Sequence, residues 1–188
     1  MYVYKEKYRP QFHFTPPNGW MNDPNGLIYF RDEYHLFYQH NPYSLNWDSM
    51  HWGHAVSKDM LHWQHLPVAY TPETEIDDYF SGSSVIDEHN VTGFFQPGQK
   101  GMVNVFTHRD SGVQQQHIGY SADGRHFTRY LECVLPNPGR EDFRDPKVVW
   151  LKDKKRYLMV LAVYDHVEFY ISRDLKKWTF YSKNQAKI

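Results

Sequence analysis

The 188-residue sequence has few of the features that mark disulfide-rich or membrane proteins. Cys133 is the only cysteine, which excludes an internal disulfide bond and leaves the redox compartment open. No apolar run is long enough to span a bilayer, and the first residues lack the apolar segment of a signal peptide. We therefore expect no membrane partner, and a cytoplasmic location unless a secretion leader has been removed.

An excess of charge of one sign is also absent. The chain carries 21 Lys and Arg residues against 22 Asp and Glu residues, which gives a formal net charge of −1. Binding to nucleic acid or to an anionic membrane is typically accompanied by a basic surplus. We therefore expect no nucleic-acid partner.

Aromatic residues, in contrast, are abundant and make up 18% of the sequence. Aromatic side chains favour β-strands. Clustered Trp and Tyr rings are also what a sugar-binding cleft needs, because they offer flat apolar faces with a polar edge. The composition therefore favours a β-rich protein that can bind carbohydrate.

Two patterns recur along the chain and indicate one structural unit used several times. An Asp-Pro pair precedes an apolar run at Asp23 and again at Asp145. A second pattern, Ser-x-Asp followed by an aromatic residue four positions after the Asp, occurs at 57–63, 121–127 and 172–178. Each copy is typical of a turn that leads into a strand.

Short apolar and aromatic runs separated by turn residues predict twelve strands and no helix. The predicted strands are 26–30, 34–39, 51–57, 61–66, 82–86, 102–108, 115–120, 127–130, 147–151, 156–163, 167–172 and 178–181. Four antiparallel strands per unit are typical of β-propeller blades, which gives blade I about 22–66, blade II about 80–130 and blade III about 144–182. Because Asp23 and Asp145 open the innermost strands of blades I and III, we expect them to converge on one axial pocket.

Two carboxylates that face one funnel lined by aromatic rings indicate glycoside hydrolysis. One carboxylate attacks or stabilises the anomeric carbon, and a protonated carboxyl donates a proton to the leaving group. A third carboxylate can hold the sugar hydroxyls as charge develops. Arg144, next to Asp145, is expected to keep that carboxylate ionised and to hydrogen-bond hydroxyl groups.

The segment 20–26, Trp-Met-Asn-Asp-Pro-Asn-Gly, resembles the signature of glycoside hydrolase family 32, the β-fructosidases (invertases, levanases and inulinases). Further blocks that resemble the family follow in the family order at 37–42, 52–57, 80–83 and 144–146. The resemblance implies an all-β fold of the five-bladed β-propeller type. It also implies retaining cleavage of terminal β-D-fructofuranosyl linkages in fructans or sucrose, with no cofactor. Segments 10–16 and 50–54 resemble the levanase and exo-inulinase branch more than the sucrose-6-phosphate hydrolases.

The resemblance also implies the roles of individual residues. Asp23 would be the nucleophile and Asp145 the transition-state stabiliser. The residues that would contact the fructosyl unit are Asn22, Gln39, Trp47, Phe80, Ser81 and Arg144. The partner implied is a fructose-containing oligosaccharide or polysaccharide.

One family feature is missing, namely the general acid/base, a Glu in a Glu-Cys-Pro motif that follows the Arg-Asp-Pro block. Glu132-Cys133 precedes Asp145 and continues with Val, so we expect it on an outer strand or loop of blade II. Glu168 follows Asp145 without Cys-Pro, and we expect it on a solvated outer face. The sequence thus predicts about three of the five blades, without the general acid, the other blades or the family's C-terminal β-sandwich.

Three blades without a closed ring leave two apolar faces uncovered. We therefore expect a chain that self-associates and hydrolyses substrate negligibly. The residues leave two other functions open, a carbohydrate-binding module without catalysis and a structural propeller that binds proteins. They also leave open whether the substrate is sucrose, levan or inulin.

Histidines at 51, 54, 62 and 65 have spacings that resemble a metal site. On a strand, positions 51 and 54 point to opposite faces, and no cysteine or carboxylate completes a tetrahedral ligand set. We therefore expect no metal site.

Overall fold

The structure, a computed structural model, describes residues 5–184. It contains twelve β-strands and one short 3-10 turn at Lys152–Lys154. The strands are β1 (Trp20–Phe30), β2 (Glu33–Asn41), β3 (His51–Ser57), β4 (Gln64–Tyr70), β5 (Asp77–Asp87), β6 (Gly101–Asp110), β7 (Val113–Ser121), β8 (Thr128–Arg129), β9 (Arg144–Leu151), β10 (Arg156–Val163), β11 (His166–Ser172) and β12 (Thr179–Asn184). The predicted all-β fold is confirmed, and each of the twelve predicted segments overlaps a strand. Within the described residues, no helix has the length and apolarity needed to cross a membrane.

The strands form three four-stranded sheets in which sequence neighbours are also sheet neighbours: β1 to β4, β5 to β8 and β9 to β12. Tight turns make this order possible. Arg31 and Asp32, between β1 and β2, both have positive φ, at 51° and 62°. Ser111 and Gly112 repeat this between β6 and β7, at 50° and 83°. Two successive residues with positive φ match the right-handed twist of the strands they join, so the hairpins close without distorting the sheets.

The repeated Ser-x-Asp pattern forms the same turn at the end of the third strand of each sheet. After β7, the Ser121 Oγ accepts a hydrogen bond from the Gly124 amide at 2.9 Å. The Asp123 Oδ1 accepts hydrogen bonds from the amides of Arg125 and His126, each at 2.8 Å. Matching bonds occur at Ser57 with Asp59 and at Ser172 with Asp174. The repeat is therefore a structural turn that leads the chain into the fourth strand.

The second sheet is packed on both faces, because alternate residues of β6 point to opposite sides. Met102 and Phe106 belong to the apolar cluster shared with the first sheet, which includes the fully buried Trp52. Val103 and Val105 belong to the cluster shared with the third sheet. The three sheets therefore stack face to face in chain order, as blades of a propeller do.

The two outer faces of this stack differ. On the first sheet, Phe14 of the N-terminal segment packs against Tyr38, Trp63 and His65, with ring centroids 5.1, 5.7 and 5.3 Å apart. The prediction of two uncovered apolar faces is therefore wrong for the first sheet, because the N-terminal segment lies on it.

The outer face of the third sheet remains open. In β10, Tyr157, Met159, Leu161 and Val163 are buried toward the second sheet. The alternate residue Leu158, together with Phe169 and Ile171 of β11, lines an open groove of about 540 Å³. The third sheet is thus apolar on both sides but covered on only one.

The innermost strands β1, β5 and β9 lie side by side at the axis, with β5 in the middle. Ser83 joins two of them, because its hydroxyl donates to the Pro146 carbonyl at 2.8 Å and accepts from the Val148 amide at 2.9 Å. This contact holds the start of β9 against β5. Asp23 and Asp145 lie inside their strands rather than opening them, as the fourth residue of β1 and the second residue of β9.

We predict that Asp123→Ala lowers the free energy of unfolding by about 1–2 kcal/mol, because two backbone amides lose their acceptor. Chemical denaturation monitored by circular dichroism measures the change. Asp153→Ala, in the exposed turn at Lys152–Lys154, is the control and should change it by less than about 0.5 kcal/mol. Equal effects of the two variants would contradict a structural role for the repeated turn.

Candidate active site

Asp23 and Asp145 line the same cavity, of about 410 Å³, at the axial ends of β1 and β9. Ser81 of β5 lies between them in this lining. The structure therefore brings together two aspartates that are far apart in the sequence, as the paired Asp-Pro pattern predicts. Of the eight predicted site residues, these three line the cavity, and the other five flank it or lie behind it.

The carboxylate of Asp23 is exposed and held by one hydrogen bond, because the Ser81 hydroxyl donates to its Oδ2 at 2.7 Å. The pairing of β1 with β2 is irregular between Met21 and Pro24, so Asp23 lies where the ladder is interrupted. Pro24 contributes to the interruption, because it has no amide hydrogen to donate to β2. The interruption lets Asp23 face the cavity.

Gly26 allows β1 to approach β2 and β5 closely beneath the site. Its φ is +59°, and a Cβ at this position would lie 2.7 Å from the Phe37 ring and 2.8 Å from the Ser84 hydroxyl. Both the conformation and the space therefore require glycine. The Asp-Pro-Asn-Gly sequence is more than a turn signal, because it shapes the floor of the cavity.

Asp145 has a left-handed backbone with φ of 60°, which is uncommon for a residue other than glycine. Its amide donates to the Thr107 hydroxyl at 3.0 Å, so β6 holds this conformation from behind. Strained backbone of this kind often occurs at functional sites, where surrounding contacts maintain it. Here it directs the carboxylate toward the cavity that also contains Asp23.

The pKa of Asp145 is raised above its ordinary value. Desolvation by the surrounding strands is the largest cause, Arg144 acts in the opposite direction, and the charges of Asp23 and Asp142 raise it further. Arg144 acts in the expected direction, because its charge favours the ionised form of Asp145, but desolvation outweighs it in the net pKa shift. The Arg144 Nε lies 3.8 Å from the Asp145 Oδ2, but its NH1 contacts Asp142, which shares the arginine charge.

The predicted residues on β1 and β2 are placed differently from each other. Asn22 is exposed, and its Oδ1 accepts a hydrogen bond from the Trp20 indole at 2.9 Å. Gln39 is buried, and its Nε2 has no hydrogen-bond partner among the described residues. Gln39 lies opposite the irregular Asn22–Asp23 segment, since its strand neighbours pair with Met21 and Pro24. Neither residue lines the cavity.

Trp47 and Phe80 form an aromatic pair beside the cavity, with ring centroids 6.0 Å apart and planes inclined by 65°. Trp47 lies in the loop between β2 and β3 and is 47% exposed. Phe80 precedes Ser81 in β5, so the pair adjoins the residue that holds Asp23. Neither ring belongs to the cavity lining itself.

Sequence reasoning missed two residues of this site, Lys147 and Thr107. Lys147 lines the cavity and is exposed. The signal for it was present, because residues two apart on a strand share a face and Lys147 follows Asp145 by two. Thr107 had no such signal, since its contact with Asp145 depends on how two sheets pack.

The prediction that Glu168 is solvated is wrong, because only 3% of its surface is exposed. Burial would raise its pKa, but hydrogen bonds from Tyr170 and His166 and the charge of Arg140 together lower it. The His166 Nε2 is 3.3 Å and the Arg140 NH2 3.6 Å from its Oε1. A buried carboxylate held ionised in this way is unsuited to donate a proton. Glu132 is exposed in the segment after β8, as expected for a loop of the second unit.

The histidines that resemble a metal site are dispersed. The His54 Nε2 lies 3.1 Å from the Nδ1 of His35, whereas the His51 Nδ1 contacts the Ser49 carbonyl. The His62 Nδ1 contacts Asp59 at 2.7 Å in the first of the repeated turns. Among residues 5–184, no group of three or more His, Cys, Asp or Glu side chains has the arrangement of a metal site.

Comparison with known proteins gives a consistent set of relatives. A family model described as the glycosyl hydrolases family 32 N-terminal domain matches residues 13–187. A levanase from Bacillus subtilis is 53% identical over 182 residues, which are 96% of this chain and 27% of the levanase. An invertase from Schizosaccharomyces pombe is 40% identical over 94% of this chain and 32% of its own length.

Solved structures agree with these sequences. The crystal structure of an exo-inulinase from Aspergillus awamori matches with a TM-score of 0.93 and 35% identity, over 98% of this chain and 41% of that one. A β-fructofuranosidase from Schwanniomyces occidentalis, complexed with fructosyl-erythritol, matches with a TM-score of 0.89 and 37% identity, over 95% and 36%. The chain thus spans less than half the length of these relatives.

We predict that Asp23→Asn lowers the pKa of Asp145, because it removes a nearby negative charge that disfavours ionisation. A titration of the aspartate carboxyl carbons by NMR measures the shift. Asp32→Asn, in the turn between β1 and β2, removes the same charge elsewhere and should leave Asp145 unchanged. An unchanged titration in Asp23→Asn would show that the two carboxylates do not share one electrostatic environment.

Proposed function

The chain belongs to family 32 of the glycosyl hydrolases, and we propose that it forms the part of a retaining β-fructosidase that supplies the nucleophile. The reaction is cleavage of terminal β-D-fructofuranosyl linkages in fructans or sucrose. The observation that supports this best is the shared cavity of Asp23 and Asp145, with Ser81 between them. A retaining glycosidase needs a carboxylate that attacks the anomeric carbon, and an exposed aspartate on such a cavity supports this role for Asp23.

In the first step, an Asp23 carboxylate oxygen attacks the anomeric carbon of the fructosyl unit. A carbon–oxygen bond to Asp23 forms as the glycosidic bond breaks, and the leaving hydroxyl takes its proton from a general acid. Water then attacks the same carbon and gives its proton to the conjugate base of the general acid, while the carbon–oxygen bond to Asp23 breaks and fructose leaves with retained configuration. The Ser81 hydroxyl, which donates to the Asp23 Oδ2, keeps the other carboxylate oxygen turned toward the substrate.

Asp145 acts as the transition-state stabiliser in this proposal. Its carboxylate accepts hydrogen bonds from the sugar hydroxyls, and these strengthen as positive charge develops on the ring. Asn22, Gln39, Trp47, Phe80 and Arg144 are proposed to contact the fructosyl unit around these two groups.

Neither Glu132 nor Glu168 is proposed as the general acid. Glu132 is exposed in a loop, and Glu168 is buried in an ionised network. The isolated chain is therefore proposed to bind fructosyl groups but to hydrolyse natural substrates negligibly, since proton donation accelerates such steps by about 10²–10⁴-fold. This makes a non-catalytic fructan-binding role the second candidate for the chain in isolation.

Fructans are the favoured substrate class, because the relatives include proteins named levanase and exo-inulinase. A protein named sucrose-6-phosphate hydrolase, from Escherichia coli, is 42% identical to this chain. The proposal of fructan over sucrose therefore depends on the resemblance of segments 10–16 and 50–54 to the levanase and exo-inulinase branch. One relative, from Aspergillus niger, is named extracellular, and the cytoplasmic location stays a prediction.

We predict that the chain releases nitrophenolate from p-nitrophenyl β-D-fructofuranoside but not glucose from sucrose. A nitrophenolate leaves without a proton, whereas the glucose oxygen needs one, so the first step on an activated substrate requires only the nucleophile. Absorbance measures the first product and a coupled glucose assay the second. Asp23→Asn should abolish nitrophenolate release, and Asp32→Asn should not.

Two results would contradict this. Nitrophenolate release that survives Asp23→Asn would remove the nucleophile from Asp23. Sucrose cleavage at a rate similar to nitrophenolate release would show that a general acid acts within these residues.

The three sheets are proposed to be three blades of a propeller that has further blades. The open apolar face of the third sheet supports this, because Leu158, Phe169 and Ile171 lie where a further sheet would pack. In the isolated chain, a second copy is proposed to cover that face.

We predict that the isolated chain self-associates and that Phe169→Glu shifts it toward monomer, because a charge on the open face must be desolvated on contact. Sedimentation velocity at several concentrations measures this. Tyr164→Glu places the same charge on an exposed turn that is away from the groove and should have no effect. A parent chain that stays monomeric at every concentration would refute the prediction.

A further inference from the structure

Arg109 contacts both rings of the aromatic pair beside the cavity. Its guanidinium carbon lies 5.6 Å from the centre of the Trp47 ring and 5.3 Å from that of the Phe80 ring. Both distances are within the range of a cation–π interaction. Because the guanidinium is planar and permanently charged, it can lie against two inclined rings at once, which an ammonium group does less well.

A buried carboxylate fixes the position of this guanidinium. The Arg109 Nε donates to the Asp78 Oδ2 at 2.9 Å, and a second nitrogen of the guanidinium donates to the same oxygen. Asp78 is only 3% exposed, so its own position is set by the surrounding strands. Its other oxygen, Oδ1, accepts a hydrogen bond from the Met50 amide at 2.8 Å.

This arrangement connects the two ends of the Trp47 loop region. Met50 is the last residue of the loop and is fully buried, so the hydrogen bond from its amide to Asp78 holds this end of the loop. Arg109 contacts the loop at Trp47, three residues before Met50. Trp47 is 47% exposed on this loop, so the contact with Arg109 adds to the edge contact with Phe80 in setting the orientation of the ring.

We infer that Arg109 is a positioning residue that holds Trp47 and Phe80 as one sugar platform beside Asp23. The inference rests on the proposed function only in its second part, that the platform binds a fructosyl unit. Its first part, that the orientation of Trp47 depends on Arg109, stands on the geometry alone. The two parts can therefore be tested separately.

The first measurement is the ¹⁹F NMR spectrum of the full chain labelled with 5-fluorotryptophan. Trp47→Phe identifies the Trp47 signal among the six tryptophans. In Arg109→Met, this signal should shift toward the position of free fluorotryptophan and narrow, because the ring becomes mobile, while the other five signals stay in place. Arg109→Lys keeps the charge without the planar group and should lie between the parent and Arg109→Met.

The control is Arg31→Met, which removes another arginine that lies over an aromatic ring, with its guanidinium carbon 5.6 Å from the centre of Phe30. Arg31 is in the turn between β1 and β2 and is not part of the proposed site. Its replacement should leave the Trp47 signal unchanged. A general loss of structure in Arg109→Met would move all six signals, and Arg109→Lys then decides whether Trp47 responds specifically.

The second measurement is binding of 1-kestose by isothermal titration calorimetry. We expect about tenfold weaker binding by Arg109→Met, an intermediate loss by Arg109→Lys and none by Arg31→Met. If the parent binds 1-kestose and Arg109→Met binds it equally well, the platform role is overturned. If the Trp47 signal is the same in the parent, Arg109→Met and Arg109→Lys, the positioning role is overturned. A parent that binds no 1-kestose counts against the proposed function, and the NMR result alone then decides the role of Arg109.

Discussion

The packing of the second sheet between its two neighbours is the constraint on which the site depends. Residues of β6 alternate between the two apolar clusters, so neither neighbouring sheet can shift without disturbing a buried core. That packing places β5 between β1 and β9, and the Ser83 hydroxyl then joins β5 to β9. Because Ser81 and Ser83 belong to one strand, the same strand positions both aspartates, Asp23 by a hydrogen bond and Asp145 through the start of β9.

The electrostatics of the cavity follow from this proximity. Asp145 and Asp142 share the positive charge of Arg144, and desolvation and the charge of Asp23 both disfavour ionisation of Asp145. The result is a raised pKa for Asp145 although an arginine is adjacent in the sequence. Glu168 shows the opposite outcome, because three donors surround a more deeply buried carboxylate and lower its pKa. Burial alone therefore does not decide the protonation of a carboxyl group here, since the number of donors around it matters more.

The aromatic residues serve two purposes that composition alone does not separate. Trp52, Phe37 and Phe106 are fully buried and join the first two sheets. Trp47 and Phe80 lie at the edge of the cavity and are held by Arg109. The same residue types thus build the core and the proposed sugar platform. What distinguishes them is whether the surrounding sheets bury the side chain, as they do at Trp52, or leave it exposed, as at Trp47.

The strands, their order and the repeated turns could be predicted from the amino-acid sequence. Those features depend on local chemistry, namely the alternation of apolar residues, the Asp-Pro entries and the Ser-x-Asp hydrogen bonds. The convergence of Asp23 and Asp145 could also be predicted, because equivalent positions of repeated units meet at the axis of a ring.

Four features could not be predicted from the sequence: the burial of Glu168, the direction of the Asp145 pKa shift, the cover that Phe14 provides and the contacts of Arg109. Each of these depends on which residues of other strands or segments lie nearby. Such neighbours follow from how sheets and loops pack and not from spacing along the chain. The repeated units therefore reveal the architecture from the sequence, whereas the chemistry of individual side chains emerges only when the sheets are stacked.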